Sequence, residues 1–429
     1  MIVLLTGASG FLGRRLGLAL LKAGHHVICA MRQPPSAPEP GLPMRYVQAD
    51  FERDLEVADW MPRLAGVDAV VNAAGILREQ DGQSFANIHV RGPCALFAAC
   101  AAAGVSRVLQ VSALGADEQA RTGYHLSKKA ADDYLCSLPL ASVAVVQPSL
   151  IYGPGGGSAR LFTTLASLPL IALPGGGRQQ VQPVHVDDVV QAVVALLEQD
   201  EVRGRVPLVG PRPVSLRDYL AALRQGLRLG RARFLPVPQA LVGLAARLGS
   251  RLPNSLLDRD SWSMLQRGNT ADPLPTQRLL GRAPRGPEDF IEPAERPVLR
   301  QTARLTWLLP LLRLSVALVW IVTGIVSLGL YPVQDSLALL ARSGVPAALA
   351  PTLLYGAALL DLALGVATLL MKRRRRLWLV QAALMLFYTA IITLRLPEFW
   401  LHPYGPILKN LPLLGVLWLL YELEDEEAG

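Results

Sequence analysis

The first 150 residues alternate short β-branched runs with longer stretches whose apolar positions recur at helical spacing. IVLL (2–5), HVICA (26–30), AVVNAA (69–74), RVLQVS (107–112) and VAVVQPS (143–149) predict strands. Leu12–Gly24, a short piece near Leu55–Leu64, Phe85–Gly104 and Tyr124–Leu138 predict helices. Strands separated by helices of this length form βαβ units, so the expected class is α/β with a doubly wound parallel sheet. The stretch PPSAPEPGLP (34–43) is too rich in proline for either state.

From 150 to about 290 the pattern is less regular. VHVDDVVQAVVALLEQ (184–199) predicts an amphipathic helix opened by Asp187 or Asp188, and SLRDYLAALRQGL (215–227) another opened by Ser215. With the glycine-rich stretches GPGGGS (153–158) and PGGGR (174–178), this part is expected to form a small substrate lobe beside the sheet. Residues 282–297, dense in proline and charge, read as a linker.

After Arg304 come four apolar segments, Leu311–Tyr331, Val345–Met371, Leu377–Leu394 and Gly405–Tyr421. At 1.5 Å rise per residue the first three are long enough to cross a hydrocarbon core of about 30 Å. The fourth carries Lys409 and Pro412 and needs Lys409 to snorkel. A soluble core does not need four such stretches in succession. An all-α four-helix transmembrane domain is therefore expected. The domain plan is 1–290 for the nucleotide-binding part, 291–304 for a linker and 305–423 for the membrane part.

Composition agrees with this division. The 429 residues are 51% hydrophobic against 18% charged, with mean hydropathy +0.32, too apolar for an ordinary soluble enzyme. The net charge of +8 admits nucleic acid or a membrane surface as partner. The densest basic run, KRRRR (372–376), lies between two apolar segments, and no aromatic-interleaved basic patch supports nucleic acid. Basic residues Arg300 and Arg304 precede the first segment and Arg313 lies at its start, while the loops 332–344 and 395–404 carry only Arg342 and Arg395. The positive-inside rule places the first domain, KRRRR and the acidic tail ELEDEEAG on the cytosolic side of the cytoplasmic membrane. The start MIVLLTGASGFLG lacks the basic region of a signal peptide. Cys29, Cys94, Cys100 and Cys136 form no CxxC pair, so reduced, buried thiols are expected rather than disulfides or zinc. The histidines show no paired metal spacing, and no metal is expected.

The chemistry starts at TGASGFLG, which sets Gly7, Gly10 and Gly13 between a strand and a helix. Gly7 permits the tight turn, Gly10 lets backbone approach a pyrophosphate, and Gly13 allows helix–strand packing. The helix N-terminus then offers N–H groups and a positive dipole to phosphate. This is the dinucleotide fingerprint of a Rossmann sheet, with Thr6, Ser9, Phe11 and Leu12 completing the loop. An NAD-preferring site places an acid at the end of the second strand; HVICAMRQ has none and offers Arg32, whose guanidinium suits a 2′-phosphate. NADP(H) is therefore expected, with NAD(H) as the alternative.

Tyr124 and Lys128, in YHLSK, are spaced i,i+4 and share a helix face; Ser112 ends a strand at its carboxyl edge, where open α/β sheets bind ligands. Hydride transfer at a carbonyl carbon needs an acid or base at its oxygen, and an unperturbed tyrosine is too weak a base near neutrality. A nearby ammonium and the cofactor's positive ring are expected to lower its pKa, while the serine hydroxyl holds the substrate oxygen. The chain has only five lysines against 37 arginines, so a lysine at this spacing stands out.

TGASGFLG, NAAG (72–75), Ser112, YHLSK and QPSLIYGP (147–154) together resemble the extended or atypical short-chain dehydrogenases/reductases, in the flavour of the accessory subunit of respiratory complex I. The resemblance covers residues 1 to about 290. It implies catalytic roles for Ser112, Tyr124 and Lys128, and an acid near adenine at Asp50. It further implies a cofactor-lining strand end at Asn72, Ala73, Ala74 and Gly75, and a nicotinamide-side stretch at Gln147, Pro148 and Ser149. Asn87 is matched to a helix asparagine of many members. Complex I-like members often lose the tyrosine–lysine pair; this chain keeps it.

VWIVTGIVSLGLYP, LDLALG and LPEFWLHPYGPILKNLPLL resemble the DoxX-like four-helix membrane family, some of whose members are linked to quinone-coupled sulfur oxidation. With no cysteine after Cys136, thiol chemistry is not expected there. Asp361, near the middle of the second segment, is costly in a membrane and is read either as a functional group or as a structural hydrogen-bond partner. His402, Lys409 and Asn410 read as interfacial anchors. The expected function is a membrane-anchored NADP(H)-dependent oxidoreductase acting on a lipid, isoprenoid or quinone carbonyl or alcohol. The alternative is a non-catalytic nucleotide-binding assembly or sensor module.

Overall fold

The computed structural model describes residues 1–35, 43–199, 202–249 and 259–424, and the chain divides into two units, Met1–Ala303 and Arg304–Gly429. Most of the proline-rich stretch 34–43, and the end of the acidic tail, lie outside the described residues.

In the first unit seven strands form one sheet: β1 (Ile2–Thr6), β2 (His26–Met31), β3 (Met44–Gln48), β4 (Ala69–Asn72), β5 (Arg107–Val111), β6 (Ser142–Pro148) and β7 (Arg203–Leu208). Every pairing is parallel and the spatial order is β7-β6-β5-β4-β1-β2-β3. The order reverses beside β1, which creates the crevice where such sheets bind ligands. Central strands read as unbroken apolar runs because helices cover both faces. Val3, Leu4 and Leu5 are fully buried, each contributing about 1.5–3 kcal/mol relative to exposure.

One face is covered by α1 (Phe11–Lys22), through Leu12, Leu16 and Leu20, and by α4 (Val186–Glu198), through Val189, Val193 and Leu196. The other is covered by α2 (Gly92–Ala103) and α3 (Gly123–Ser137), through Leu96, Phe97, Ala131 and Leu135. A second core around Tyr152, Tyr219 and Phe290 belongs to the lobe that follows β6, with Tyr152 stacked on Phe290 at 4.8 Å.

Three expectations are corrected here. The cap of α4 is His185, whose ring Nδ1 accepts from the Asp187 N–H; Asp188 instead is buried and takes Arg282 at 2.6 Å. Residues 282–297 are not a loose linker, because Arg282 and Arg285 pair with Asp188 and Asp187, and Phe290 and Ile291 sit in the lobe core. Of the four cysteines, all free, Cys29 and Cys100 are buried, but Cys94 and Cys136 are only partly so.

The second unit is helical. α5 (Arg296–Ile325), which starts in the first unit, α6 (Ala350–Leu370) and α7 (Arg375–Arg395) are long and apolar enough to cross a membrane. The fourth apolar segment differs from expectation: its helix, α8 (Asn410–Glu422), is only 13 residues, about 20 Å at 1.5 Å per residue. A short helix at Val333–Arg342 also lies between the first two spans. Polar side chains inside this unit pair with one another. Gln381 donates to Thr368 at 2.7 Å, Asn410 to Thr389 at 2.8 Å, and Glu424 accepts from Arg313 and the Trp378 indole. Asp361 is buried, and its Oδ1 has no hydrogen-bond partner among the described residues.

Candidate cofactor and catalytic site

The glycine loop joins β1 to α1 under tight steric limits. Gly7 has φ +66°, and a Cβ on it would lie 2.7 Å from the Ala73 carbonyl. A Cβ on Gly13 would fall 2.1 Å from the Gly7 carbonyl oxygen, so the helix can approach the loop only with hydrogen there. Gly10 is different: it is exposed, and a Cβ would meet only the Gly7 oxygen, at 3.2 Å. Ser9 is exposed beside it, and the first-turn N–H groups of Phe11 and Leu12 have no partner four residues back. This open cradle with donors at its floor fits a pyrophosphate. The Leu12 side chain is core, and Phe11 packs under the loop 153–156, with the Arg15 guanidinium 4.6 Å from its ring.

Thr6, Asn72 and Gln110 tie the carboxyl ends of three adjacent strands together. The Thr6 hydroxyl donates to Asn72 Oδ1 at 2.5 Å, and the Asn72 amide donates to Gln110 at 2.7 Å. The same Asn72 oxygen accepts from the Ala74 N–H, which turns 73–75 across the end of the sheet. Arg32 is exposed directly after β2, and Asp50 lies just past β3, accepting from the Glu52 N–H. Gln147 and Pro148 end β6, and Ser149 follows it. The Gln147 amide donates to the Ala116 carbonyl and the Ser149 hydroxyl to the Gln182 carbonyl, so both side chains hold loops in place.

Tyr124 and Lys128 lie one turn apart on α3, whose start is capped by Thr122. Lys128 is buried, and its ammonium donates to the carbonyls of Ala74 at 3.3 Å and Val111 at 3.2 Å. A Cβ on Gly75 would be 2.9 Å from that nitrogen. Burial brings the Lys128 pKa down to about 8, partly offset by the Asp132 carboxylate. Ser112, held by its N–H to the Val146 carbonyl, donates its hydroxyl to Asp132. Tyr124 stands edge-on to His89, ring centres 5.6 Å apart, with Phe85 alongside. The Lys128 ammonium by itself does not lower the Tyr124 phenol pKa. Burial, reinforced by the Asp132 charge, pushes it up to about 12.

Two residues at this site were not anticipated. Asp132 is fully buried one turn beyond Lys128, on the face that carries Tyr124; the i,i+4,i+8 spacing was its signal. His89, not Asn87, faces Tyr124 and Gly75. Its Nε2 accepts from the Ile76 N–H at 3.0 Å, which puts the ring proton on Nδ1, 2.9 Å from the Ser127 hydroxyl. Burial and the Lys128 charge bring its pKa down to about 2, so the ring is neutral. Asn87 donates instead to Glu52 at 2.6 Å. A cavity of about 510 Å³ opens beside Thr122 and His125, bounded by Glu118–Arg121 and by Ser263, Met264 and Arg267. Arg267 reaches across to the Gly115 carbonyl and Asp117.

Comparison with known proteins accords with this geometry. Residues 3–210 match the NAD dependent epimerase/dehydratase family and residues 317–418 the DoxX-like family. The 3-diazoavenalumate denitrifying reductase of Streptomyces is 30% identical over 56% of this chain and 86% of its own length. The chain belongs to the NAD-dependent epimerase/dehydratase family. Within it, this epimerase-family chain is 30% identical to the ceramide reductase of Caulobacter vibrioides over 49% of this chain and 62% of that one. It is 31% identical to a mitochondrial NADH dehydrogenase [ubiquinone] 1 alpha subcomplex subunit 9 of Arabidopsis thaliana, over 45% and 49%. A UDP-glucuronic acid 4-epimerase from Bacillus cereus, solved with UDP-glucuronic acid and NAD, shares the fold. Its TM-score is 0.53 at 19% identity, over 70% of this chain and 99% of that one. The family-level Rossmann domain followed by a helical membrane domain is thus the architecture of this chain.

Proposed function

We propose that the chain is a membrane-anchored oxidoreductase that moves hydride between NADP(H) and a carbonyl or alcohol on a membrane-associated substrate. The observation that carries this reading is the placing of Lys128 between the strand ends of Ala74 and Val111, with Tyr124 one turn before it and Ser112 beside it. Bound nicotinamide would supply or accept the hydride. Gly7, Gly10, Gly13 and the start of α1 would hold its pyrophosphate, Asp50 would lie by the adenine, and Asn72–Gly75 with Gln147–Ser149 would line the reacting ring. Arg32, with no acid at the end of β2, supports NADP(H) over NAD(H).

In the reducing direction Tyr124 delivers a proton to the oxygen as negative charge grows there. A phenol kept protonated up to about pH 12 begins in the right state for this. The Lys128 ammonium, fixed on two carbonyls, adds positive charge near that oxygen, and Ser112 orients it. His89, neutral and clamped by Ile76 and Ser127, walls the far side of the phenol.

The DoxX-like domain and the ceramide reductase relative support a lipid or quinone as substrate, and the KRRRR loop supports a cytoplasmic membrane with the first domain inside. A second reading, a nucleotide-binding assembly module without turnover, is favoured by the relative named as a subunit of NADH dehydrogenase. Purified protein in nanodiscs, given NADPH and fractionated ketone-bearing lipids and quinones, distinguishes them: substrate-dependent NADPH oxidation supports the enzyme, and none with any fraction supports the module.

A further inference from the structure

The Ser112 hydroxyl donates into α3. Its proton goes to Oδ2 of Asp132, a carboxylate that is fully buried yet, among the described residues, has no salt bridge of the kind burial normally demands. Lys128, one turn away, directs two of its three N–H groups to the Ala74 and Val111 carbonyls. The second oxygen, Oδ1, has no hydrogen-bond partner among the described residues. The charged groups around it are Lys128 and Asp133 on α3 and Arg205 on β7, with the Tyr124 phenol and the Cys136 thiol on α3 also within electrostatic reach.

We propose that Asp132 is a positioning residue whose protonation state decides which way the Ser112 hydroxyl hydrogen-bonds to the reacting oxygen. An ionised carboxylate can only accept, so it fixes the serine proton inward and leaves Ser112 as an acceptor, suited to hold a substrate hydroxyl. A protonated carboxyl has one O–H of its own. It can donate to the Ser112 oxygen and free the serine proton to point outward at a carbonyl. The hydroxyl rotates without losing a proton. Hydride still travels between cofactor and carbon, and the reaction's proton still travels through Tyr124, so the balance is unchanged. Burial pushes the Asp132 pKa up to about 6, against the pull of the Ser112 hydrogen bond and the Lys128 and Arg205 charges; both states are therefore populated near neutrality.

This inference rests on the hydride-transfer reading for its use, but its test does not need turnover. Infrared difference spectra of the full chain in nanodiscs with NADP⁺, wild type minus Asp132→Asn, should show a protonated-carboxyl band that grows as pH falls through about 6. The band should shift in frequency in Ser112→Ala and remain near its wild-type position in Ser112→Thr, which keeps the hydroxyl. An Asp132 carboxylate that stays ionised down to pH 4, or a band indifferent to Ser112→Ala, overturns the proposal. NADP⁺ binding by each variant checks that it is folded. Failure of NADPH oxidation in the lipid screen would refute the enzyme reading and leave this titration standing.

Discussion

Lys128 and Gly75 share space that admits no further atom: a Cβ on Gly75 would sit 2.9 Å from the ammonium nitrogen and 3.4 Å from the His89 Nε2. The ammonium cannot swing aside cheaply, because it is buried and donates to two carbonyls. Gly75→Ala is therefore expected to cost about 1–3 kcal/mol through overpacking and to weaken nucleotide binding. Thermal unfolding and calorimetry on the full chain measure the two effects. Unchanged values for both would mean that the strand end is looser than described.

The three glycines of the loop separate folding from binding. Gly13→Ala puts a methyl within 2.1 Å of a backbone oxygen, so a clear loss of stability is expected. A Cβ at Gly10 meets only one atom, at 3.2 Å, so Gly10→Val should leave the unfolding midpoint little changed while abolishing nucleotide affinity. Retained affinity in Gly10→Val would move the pyrophosphate elsewhere.

Arg32→Asp tests cofactor choice. Removing the guanidinium and adding an acid beside the ribose should turn the affinity ratio from NADP⁺ towards NAD⁺ by tenfold or more, since hydrogen bonds to a charged group are worth about 1.5–3 kcal/mol. A ratio that does not move makes Arg32 a surface charge only.

Asp132 also predicts a pH dependence of stability. Its folded pKa, about 6, lies above its ordinary value of 3.8. Between those limits the folded chain holds a proton that the unfolded chain has released. Its contribution is therefore fully present below pH 4 and is lost as pH rises towards 6. Asp132→Asn has no such loss, so its unfolding midpoint relative to wild type should climb between pH 4 and 6. A flat difference would mean that the carboxyl is ionised throughout.

Much of this was legible in sequence, and the failures have physical causes. Central strands announced themselves because both faces are buried, as in Ala69–Asn72. The two sheet edges, Met44–Gln48 and Arg203–Leu208, did not: half-exposed, they carry Arg45, Gln48, Arg203 and Arg205 where an apolar run would be sought. Residues 282–297 looked like a linker since charge and proline dominate, but the arginines serve the buried Asp188. The fourth apolar helix begins only at Asn410, because 403–404 and 406–409, which carry Pro403 and Pro406, form turns. Tyr124 and Lys128 were found by spacing. Their electrostatics were not, since spacing shows neither the burial that raises the phenol nor the Asp132 carboxylate that adds to it.

The orientation proposed for the membrane unit is tested by single cysteines at Ala338, Trp400 and Lys372. Impermeant maleimide should label the first two from outside and the third only from the cytosolic face. Labelling of all three from one side would contradict the proposed topology.

The central claim is that Tyr124 is the acid that completes hydride transfer. Tyr124→Phe removes one oxygen and leaves the glycine loop and Lys128 in place, so NADP⁺ affinity should stay near wild type. Substrate-dependent NADPH oxidation in nanodiscs should fall by about 10²–10⁴-fold, the usual contribution of a positioned general acid. Oxidation at the wild-type rate in the phenylalanine variant would contradict the enzyme reading.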